Sequence, residues 1–418
     1  MLNAKSFIRD AGNIILGTTA GQAINFLSAL AIGRIYAPEH FGIFAIFSAI
    51  CWILVVLSTL QYEHLIVQRK NDHIRCATLY FSLLYELLFF ILTYIVVIVI
   101  YIIYEDSLIV QGTNLFPYYL YIPITVFLIA INQALRYYNI ALANFKYIGL
   151  SVALTALLSG GGAVLLGLTN PIAESLIIAQ VAGYAGGNAV LLMPSSRSLR
   201  RKEVAFRSIV RIGLALFPSA SRLTAAYASR TIYSRLPTFI LAAAGNGDVV
   251  GQYALVERIL SAPTAIAGRG FSDVFRERFA SAWNRGMPLS PLIRRAIVGA
   301  AGFAFPACLI GAALAPIVFQ IAFGDEWDLA GHIARLLIIS EGFIFVGTII
   351  ESAAVIMRFE KYLIMWHSSR TIFKIALLFF VLHFRPTPMQ IISIIVAQRV
   401  IFYVIDMFVI YRRALKIS

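Results

Sequence analysis

Seventeen residues of this chain, Ser219 to Arg235, read SASRLTAAYASRTIYSR. They fall where this chain needs a membrane-spanning helix, yet they carry Arg222, Arg230 and Arg235. One charged residue at a bilayer centre costs roughly 2.5–3.5 kcal/mol on insertion scales, so three facing lipid would cost about 7–10 kcal/mol. The segment must therefore face something wet and anionic, or pair its arginines with carboxylates. Arg222 and Arg230 stand about 80° apart around a helix, and Tyr233 lies within about 20° of Arg222. Arg235 points about 140° from Arg230 and is placed to snorkel outward. Ser219, Ser221, Thr224, Tyr227, Ser229, Thr231 and Ser234 surround them. Guanidinium forks bind phosphate bidentately, and hydroxyls and phenols hydrogen-bond sugars and phosphates. The functional reading is a cationic cavity for an anionic, hydroxyl-rich substrate. The structural reading is arginines that pair with buried carboxylates and hold helices together.

Other intramembrane charges extend the candidate set. Glu257 and Arg258 are neighbours in the next span and point about 100° apart, so one or both should meet the arginine helix. Arg370 and Lys374 repel each other at i,i+4 and need carboxylates, for which Glu341 and Glu351 are candidates. Glu86, Arg399 and Asp406 stand as lone charges in apolar surroundings. Glu257, Glu86 and Glu341 are candidates for coupling transport to H⁺ or Na⁺.

The elements that must position these residues are helical and membrane-embedded. Of 418 residues, 60% are hydrophobic and 13% charged; soluble proteins of this size carry about 25% charged residues. The pattern predicts an all-α polytopic protein of twelve spans, at 11–34, 40–60, 77–104, 117–139, 147–168, 172–193, 218–243, 249–268, 296–322, 332–356, 361–383 and 388–411. The longest connections, 194–217 and 269–295, are rich in arginine. Alternate connections hold 24 of the 34 Lys and Arg residues, and the other set holds only Arg34, Arg335 and Arg385. That asymmetry predicts both termini in the cytoplasm, with outer loops neutral or acidic, as at Glu105-Asp106 and Asp325-Glu326-Trp327-Asp328. The same distribution explains the net charge of +14 without nucleic acid. Cys51, Cys76 and Cys308 have no metal-ligand or disulfide spacing, and no metal is expected. No hydrolase, zinc-protease or phosphate-loop motif is present, and no outer loop could house a catalytic domain, so the chain reads as a non-enzyme without cofactors.

The chain also repeats itself. Phe41-Gly42-Ile43-Phe44-Ala45 opens the second span and Val250-Gly251-Gln252-Tyr253-Ala254 the eighth, 209 residues on. Six spans per half give a parallel repeat about an axis along the membrane normal, with the substrate path between halves. The implied bundles are 1–205 and 206–418.

The run Gly33-Arg34-Ile35-Tyr36-Ala37-Pro38-Glu39-His40-Phe41-Gly42-Ile43-Phe44-Ala45 resembles the first outer turn of polysaccharide flippases of the multidrug/oligosaccharidyl-lipid/polysaccharide exporter superfamily. Tyr62-Glu63-His64-Leu65-Ile66-Val67 is similar to that family's Y-E-x-A-I-V stretch, from which His64-Leu65 departs. Phe217-Pro218, Val250 to Ala254 and Phe323-Gly324-Asp325-Glu326-Trp327 resemble its second-half landmarks. The resemblance implies two six-helix bundles around a cavity lined largely by spans one, two, seven and eight. It implies a bacterial inner-membrane flippase that moves a polyprenyl-pyrophosphate-linked oligosaccharide to the periplasmic leaflet by alternating access, often driven by an ion gradient. The products would be lipopolysaccharide, capsule or exopolysaccharide, with membrane lipid and glycan-assembly proteins as partners. The charge argument and this helix placement together single out Arg230, Arg222, Arg235, Arg258, Tyr227, Tyr233 and Arg34 as substrate-binding candidates. The competing readings are a multidrug or cation exporter of the same superfamily, whose cavity would be rich in carboxylates and aromatics, and an integral membrane glycan polymerase or glycosyltransferase.

Overall fold

The computed structural model describes residues 4–69, 71–103, 118–199, 204–245 and 247–417, and these are helical almost throughout. In order they form α1 (Ala4–Ile35), α2 (Pro38–Thr59), α3 (Tyr62–Gln68), α4 (Asp72–Ile103), α5 (Tyr121–Ala141), α6 (Phe145–Ala156) and α7 (Gly162–Thr169). There follow α8 (Ala173–Leu199), α9 (Phe206–Ala243), α10 (Gly247–Asn284), α11 (Ser290–Phe323), α12 (Asp328–Ile356), α13 (Glu360–Phe384) and α14 (Pro388–Ile417). A π-helical turn, Leu157–Gly161, joins α6 to α7 into one rod. With that rod counted once and the short α3 set aside, the described residues supply one long helix for each of the twelve expected spans.

Proline and left-handed residues set the breaks. Pro38 starts α2, where its missing N–H is lost to no ladder bond, and Gly324 ends α11 at φ 87. Leu60 and Gln61 are consecutive non-glycine residues at φ 43 and φ 56. Side chains seldom adopt that region, and pairs of such residues persist only where their surroundings impose them. They turn the chain from α2 into α3.

Eight of the rods are long and apolar enough to cross a membrane by composition alone; α9 and α10 are not among them. Each of these two has 38 residues, or about 57 Å at 1.5 Å per residue, against a hydrocarbon core of about 30 Å. The excess corrects one expectation. The arginine-rich stretches 194–217 and 269–295 are largely helix, because α8 runs on to Leu199, α9 begins at Phe206 and α10 runs on to Asn284. No breaker interrupts 271–284, and Phe271, Phe275, Phe279 and Trp283 recur every fourth residue to hold the extension against its neighbours. The acidic pair Glu105-Asp106 lies outside the described residues. At the other acidic cluster Asp325, Glu326 and Asp328 are exposed, and Trp327 among them is buried.

Packing divides the chain into two units, Met1–Arg235 and Leu236–Ser418. The internal repeat puts the division at 205/206; packing puts it inside α9, immediately after Arg235. In the first unit small residues let backbones approach. Gly17 faces the Gly149 backbone, Gly160 faces Ser28, and Gly187 faces Thr155, each too closely for a Cβ. Polar cross-links lock the same helices: the Tyr36 hydroxyl donates to the Ala163 carbonyl at 2.7 Å, and Asn139 donates to Ser195 at 2.9 Å. The second unit is built on an apolar cluster that joins α10, α11, α12 and α14 through Phe279, Ile293, Ile349, Ile350 and Ile410.

Candidate functional site

The arginine helix is placed by α3 and α4. The Tyr62 hydroxyl donates to the Gly213 carbonyl at 3.0 Å. Gly213 is glycine because the Phe81 ring occupies the space of its Cβ. Tyr62 and Leu65 pack with Leu216 and Ala220 in one cluster, so α9 is anchored just before its charged stretch.

Beyond that anchor α9 presents the sequence-predicted residues. Arg222 and Arg230 are exposed and lie about 12 Å apart along the axis. Arg222 Nε donates to the Pro218 carbonyl at 3.0 Å, which leaves its Nη groups to face outward. Neither guanidinium has a carboxylate partner among the described residues. Between them the half-buried Tyr227 stacks on His64, with ring centroids 4.6 Å apart and planes 27° apart. His64 in turn meets Tyr137 edge-on at 4.6 Å. Arg235 lies over the Trp52 ring at 5.7 Å, so it is held by an aromatic face and not only by snorkelling. Tyr233 is half-buried on the same helix, and Arg34 is exposed in the last turn of α1. Around α9 Tyr227 lies about 60° from Arg230 and about 140° from Arg222, so the face that pairs a guanidinium with the aromatic stack of α3, α5 and α9 is that of Arg230. Such a face can grip phosphate and lay a flat ring or sugar face against the stack.

Two carboxylates are buried in the same unit. Glu86 on α4 accepts from the Ser82 hydroxyl at 2.8 Å, and its other oxygen has no partner. Glu63 on α3, outside the candidate spans, is fully buried, and neither oxygen has a partner of good geometry. Burial pushes the Glu63 carboxyl up to about 7, and its own amide and the Thr59 hydroxyl pull it back by less. The two acids also repel each other.

The second unit treats its charges differently. Arg399 on α14, expected to be lone, is a hub. It donates to Glu257 at 3.0 Å and to the Tyr253 hydroxyl at 3.1 Å, and lies 3.7 Å from Glu341. Tyr253 donates to the same Glu257 oxygen at 2.6 Å. Glu257 therefore meets Arg399 on α14, and Arg258 stands about 100° around α10 from it. Arg258 is half-buried without an ion-pair partner among the described residues. Asp406, also expected to be lone, lies 3.6 Å from Arg370 and accepts from Tyr362 at 2.8 Å. Arg370 is further covered by the Tyr403 ring at 4.4 Å. The carboxylates expected to serve Arg370 and Lys374 are engaged otherwise, Glu341 with Arg399 and Glu351 with His367 at 2.8 Å. Arg399, Arg370 and His367 of this unit thus meet carboxylates, whereas Arg222 and Arg230 of α9 are exposed.

Four residues of this arrangement were not singled out by sequence: Trp52, Glu63, His64 and Tyr137. The signal for two of them was present. Glu63 and His64 stand in the Y-E-x stretch, read as a turn landmark, where His64 fills the variable position.

A sequence profile described as "Polysaccharide biosynthesis protein" matches residues 31–331. That is well over half of the chain. The chain belongs to the polysaccharide biosynthesis protein family. No curated protein sequence matches it. Among solved structures it is similar to a multidrug resistance MATE family transporter of the MOP superfamily in an inward-facing conformation, with TM-score 0.67, 13% identity and coverage of 97% of this chain and 98% of that one. It is also similar to the lipid II flippase MurJ in an inward closed conformation, with TM-score 0.70, 11% identity and coverage of 96% and 90%. A third neighbour is a MOP superfamily transporter from Pyrococcus furiosus, with TM-score 0.57, 13% identity and coverage of 97% and 96%. At these identities the likeness is one of fold. This member of the family is a multi-pass helical membrane protein with the MOP transporter architecture.

Proposed function

We propose that this protein is a flippase for a polyprenyl-pyrophosphate-linked oligosaccharide. It would carry the lipid-linked sugar from the cytoplasmic to the periplasmic leaflet of a bacterial inner membrane by alternating access, with both termini cytoplasmic. The observation that carries this reading is the outward pair Arg222 and Arg230 on α9, without carboxylate partners among the described residues and separated by the Tyr227–His64 stack. A pyrophosphate needs bidentate cations, and a saccharide needs hydroxyl donors and a flat apolar face. The family match to polysaccharide biosynthesis and the fold shared with a lipid II flippase support the same cargo class. A cation exporter would need carboxylates where α9 offers arginines. Ion coupling in this reading falls to the buried carboxylates of the first unit, Glu63 and Glu86, because Glu257 and Glu341 share Arg399.

The test is Arg230→Ala in cells that display the glycan. The expected result is loss of surface glycan, with lipid-linked intermediate accumulating in the cytoplasmic leaflet and the membrane level of the protein unchanged. Full surface glycan with Arg230→Ala would overturn the role assigned to that residue.

A further inference from the structure

One end of the second unit has features that substrate transport does not use. There α10 runs into α11 through 285–289, α12 ends at Ile356, and α14 reaches its last turns. The apolar cluster that holds these ends together includes Leu289, Met357 and Ala414. Beside it lies an open cavity of about 270 Å³, lined by Trp283, Gly286, Met287, Pro288, Leu289, Met357 and Ala414. Among the described residues no charged side chain lines it.

Arginine stands next in sequence to three of these lining residues. Arg285 precedes Gly286, Arg358 follows Met357, and Arg413 precedes Ala414; all three are exposed. Arg358 occupies the left-handed region at φ 55, a strained position for a residue with a side chain. The Arg413 guanidinium lies over the Phe359 ring at 5.2 Å, and that of Arg412 over the exposed Phe408 ring at 4.5 Å. An arginine stacked in this way keeps its N–H edge for an anion while its face covers an apolar group. Ten basic side chains are exposed at this end, and Glu277 is the exposed acid among its described side chains. Large apolar side chains are exposed among them, including Met287, Ile364, Met365 and Leu415.

The level in the membrane follows from length. α11 has 34 residues, or about 51 Å, which exceeds a hydrocarbon core of about 30 Å by roughly six or seven residues at each end. Arg294 and Arg295, at the fifth and sixth positions of α11, therefore stand at the headgroup level. Bare charge density at such a level is what the distribution of basic loops produces anyway. The combination of an uncharged cavity, three flanking arginines and interspersed apolar side chains is more specific. A nucleic acid or an acidic protein segment would match the charge and leave the apolar side chains bare. An amphiphile matches both.

We propose that this end of the second unit binds an anionic phospholipid of the adjoining leaflet. Arg285, Arg358 and Arg413 would hold the phosphate, and the cavity beside Trp283 and Met287 would take the glycerol-ester end of one chain. The site is independent of the transported substrate.

The test is native mass spectrometry of the full chain from mixed micelles holding equal amounts of phosphatidylglycerol and phosphatidylcholine. The unmodified protein is expected to retain phosphatidylglycerol preferentially. The triple variant Arg285→Gln/Arg358→Gln/Arg413→Gln is expected to lose affinity for it on the order of 100-fold, from the usual worth of three basic residues at a lipid surface. A control triple of equally exposed cations in the other unit, Lys146→Gln/Arg207→Gln/Arg211→Gln, is expected to keep the preference. Thermal unfolding of each variant guards against misfolding, and Met287→Glu, which puts an acid on the cavity wall without removing an arginine, is expected to weaken retention as well. No preference in the unmodified protein would overturn the proposal, as would equal loss in both triples. Displacement of the lipid by millimolar inorganic phosphate would also overturn it, since the site would then recognise an anion and not an amphiphile.

Discussion

Arg399 joins two carboxylates, Glu257 and Glu341, and its removal tests the division between structural and functional charges. The contacts to Glu257 at 3.0 Å and Glu341 at 3.7 Å are each worth about 4–6 kcal/mol of attraction at an effective dielectric of about 20, before the cost of burying the ions. The net loss on removing one partner of a buried pair is about 3–5 kcal/mol, because the remaining charge is left buried and unpaired. Arg399→Met keeps volume and apolar contact while deleting the charge. At about 2–4 °C per kcal/mol for a unit of this size, the unfolding midpoint should fall by roughly 6–20 °C. The measurement is intrinsic-fluorescence unfolding of the purified protein. The discriminating variant adds Glu257→Gln and Glu341→Gln to Arg399→Met, which removes the stranded charges. It should recover at least half of the loss, since these residues act as one unit. An Arg399→Met protein as stable as the unmodified one, or one that the two Gln substitutions fail to rescue, would refute the reasoning.

Two further predictions concern the first unit. Glu63 has its carboxyl raised by burial from 4.5 to about 7, so the folded state holds a proton that the unfolded chain releases. Stability from this group is complete below about pH 4.5 and declines through about pH 7, by roughly 3 kcal/mol in all; Glu63→Gln should flatten that slope in unfolding curves taken between pH 4.5 and 8. Gly213→Val puts a side chain where the Phe81 ring lies, and such overpacking costs about 1–3 kcal/mol. It should lower the unfolding midpoint and shift α9, which an increased rate of amide exchange in 213–230 would report.

The twelve long helices were legible because a run of apolar residues long enough to cross hydrocarbon has few alternatives. Helices α9 and α10 were legible for a different reason, the offset of 209 residues between Gly42 and Gly251, since their own apolarity is too low. Their outer ends were not. Polar sequence beyond the hydrocarbon looks like loop until a breaker ends it, and none interrupts 271–284. In the site, Arg222, Arg230 and Tyr227 stood out because a charge or phenol in an apolar frame is conspicuous. Partners were not visible. Arg399 and Glu257 are 142 residues apart in sequence, and which face of α10 turns to α14 is decided by packing. The same holds for His64 and Tyr227, brought together by the turn at Leu60-Gln61 and the anchor of Tyr62 on Gly213.

The anchoring of α9 on α3 and α4 also bears on how the chain is made. A helix with three arginines between residues 219 and 235 partitions poorly into lipid by itself, so it cannot enter the membrane as an independent segment. Tyr62, Leu65 and Phe81, which receive it, lie some 150 residues earlier, and they have left the ribosome before α9 emerges. Synthesis from the amino terminus thus presents the difficult helix to a docking surface already in place. Reversing that order, by expressing residues 206–418 without residues 1–205, should leave α9 outside the bilayer.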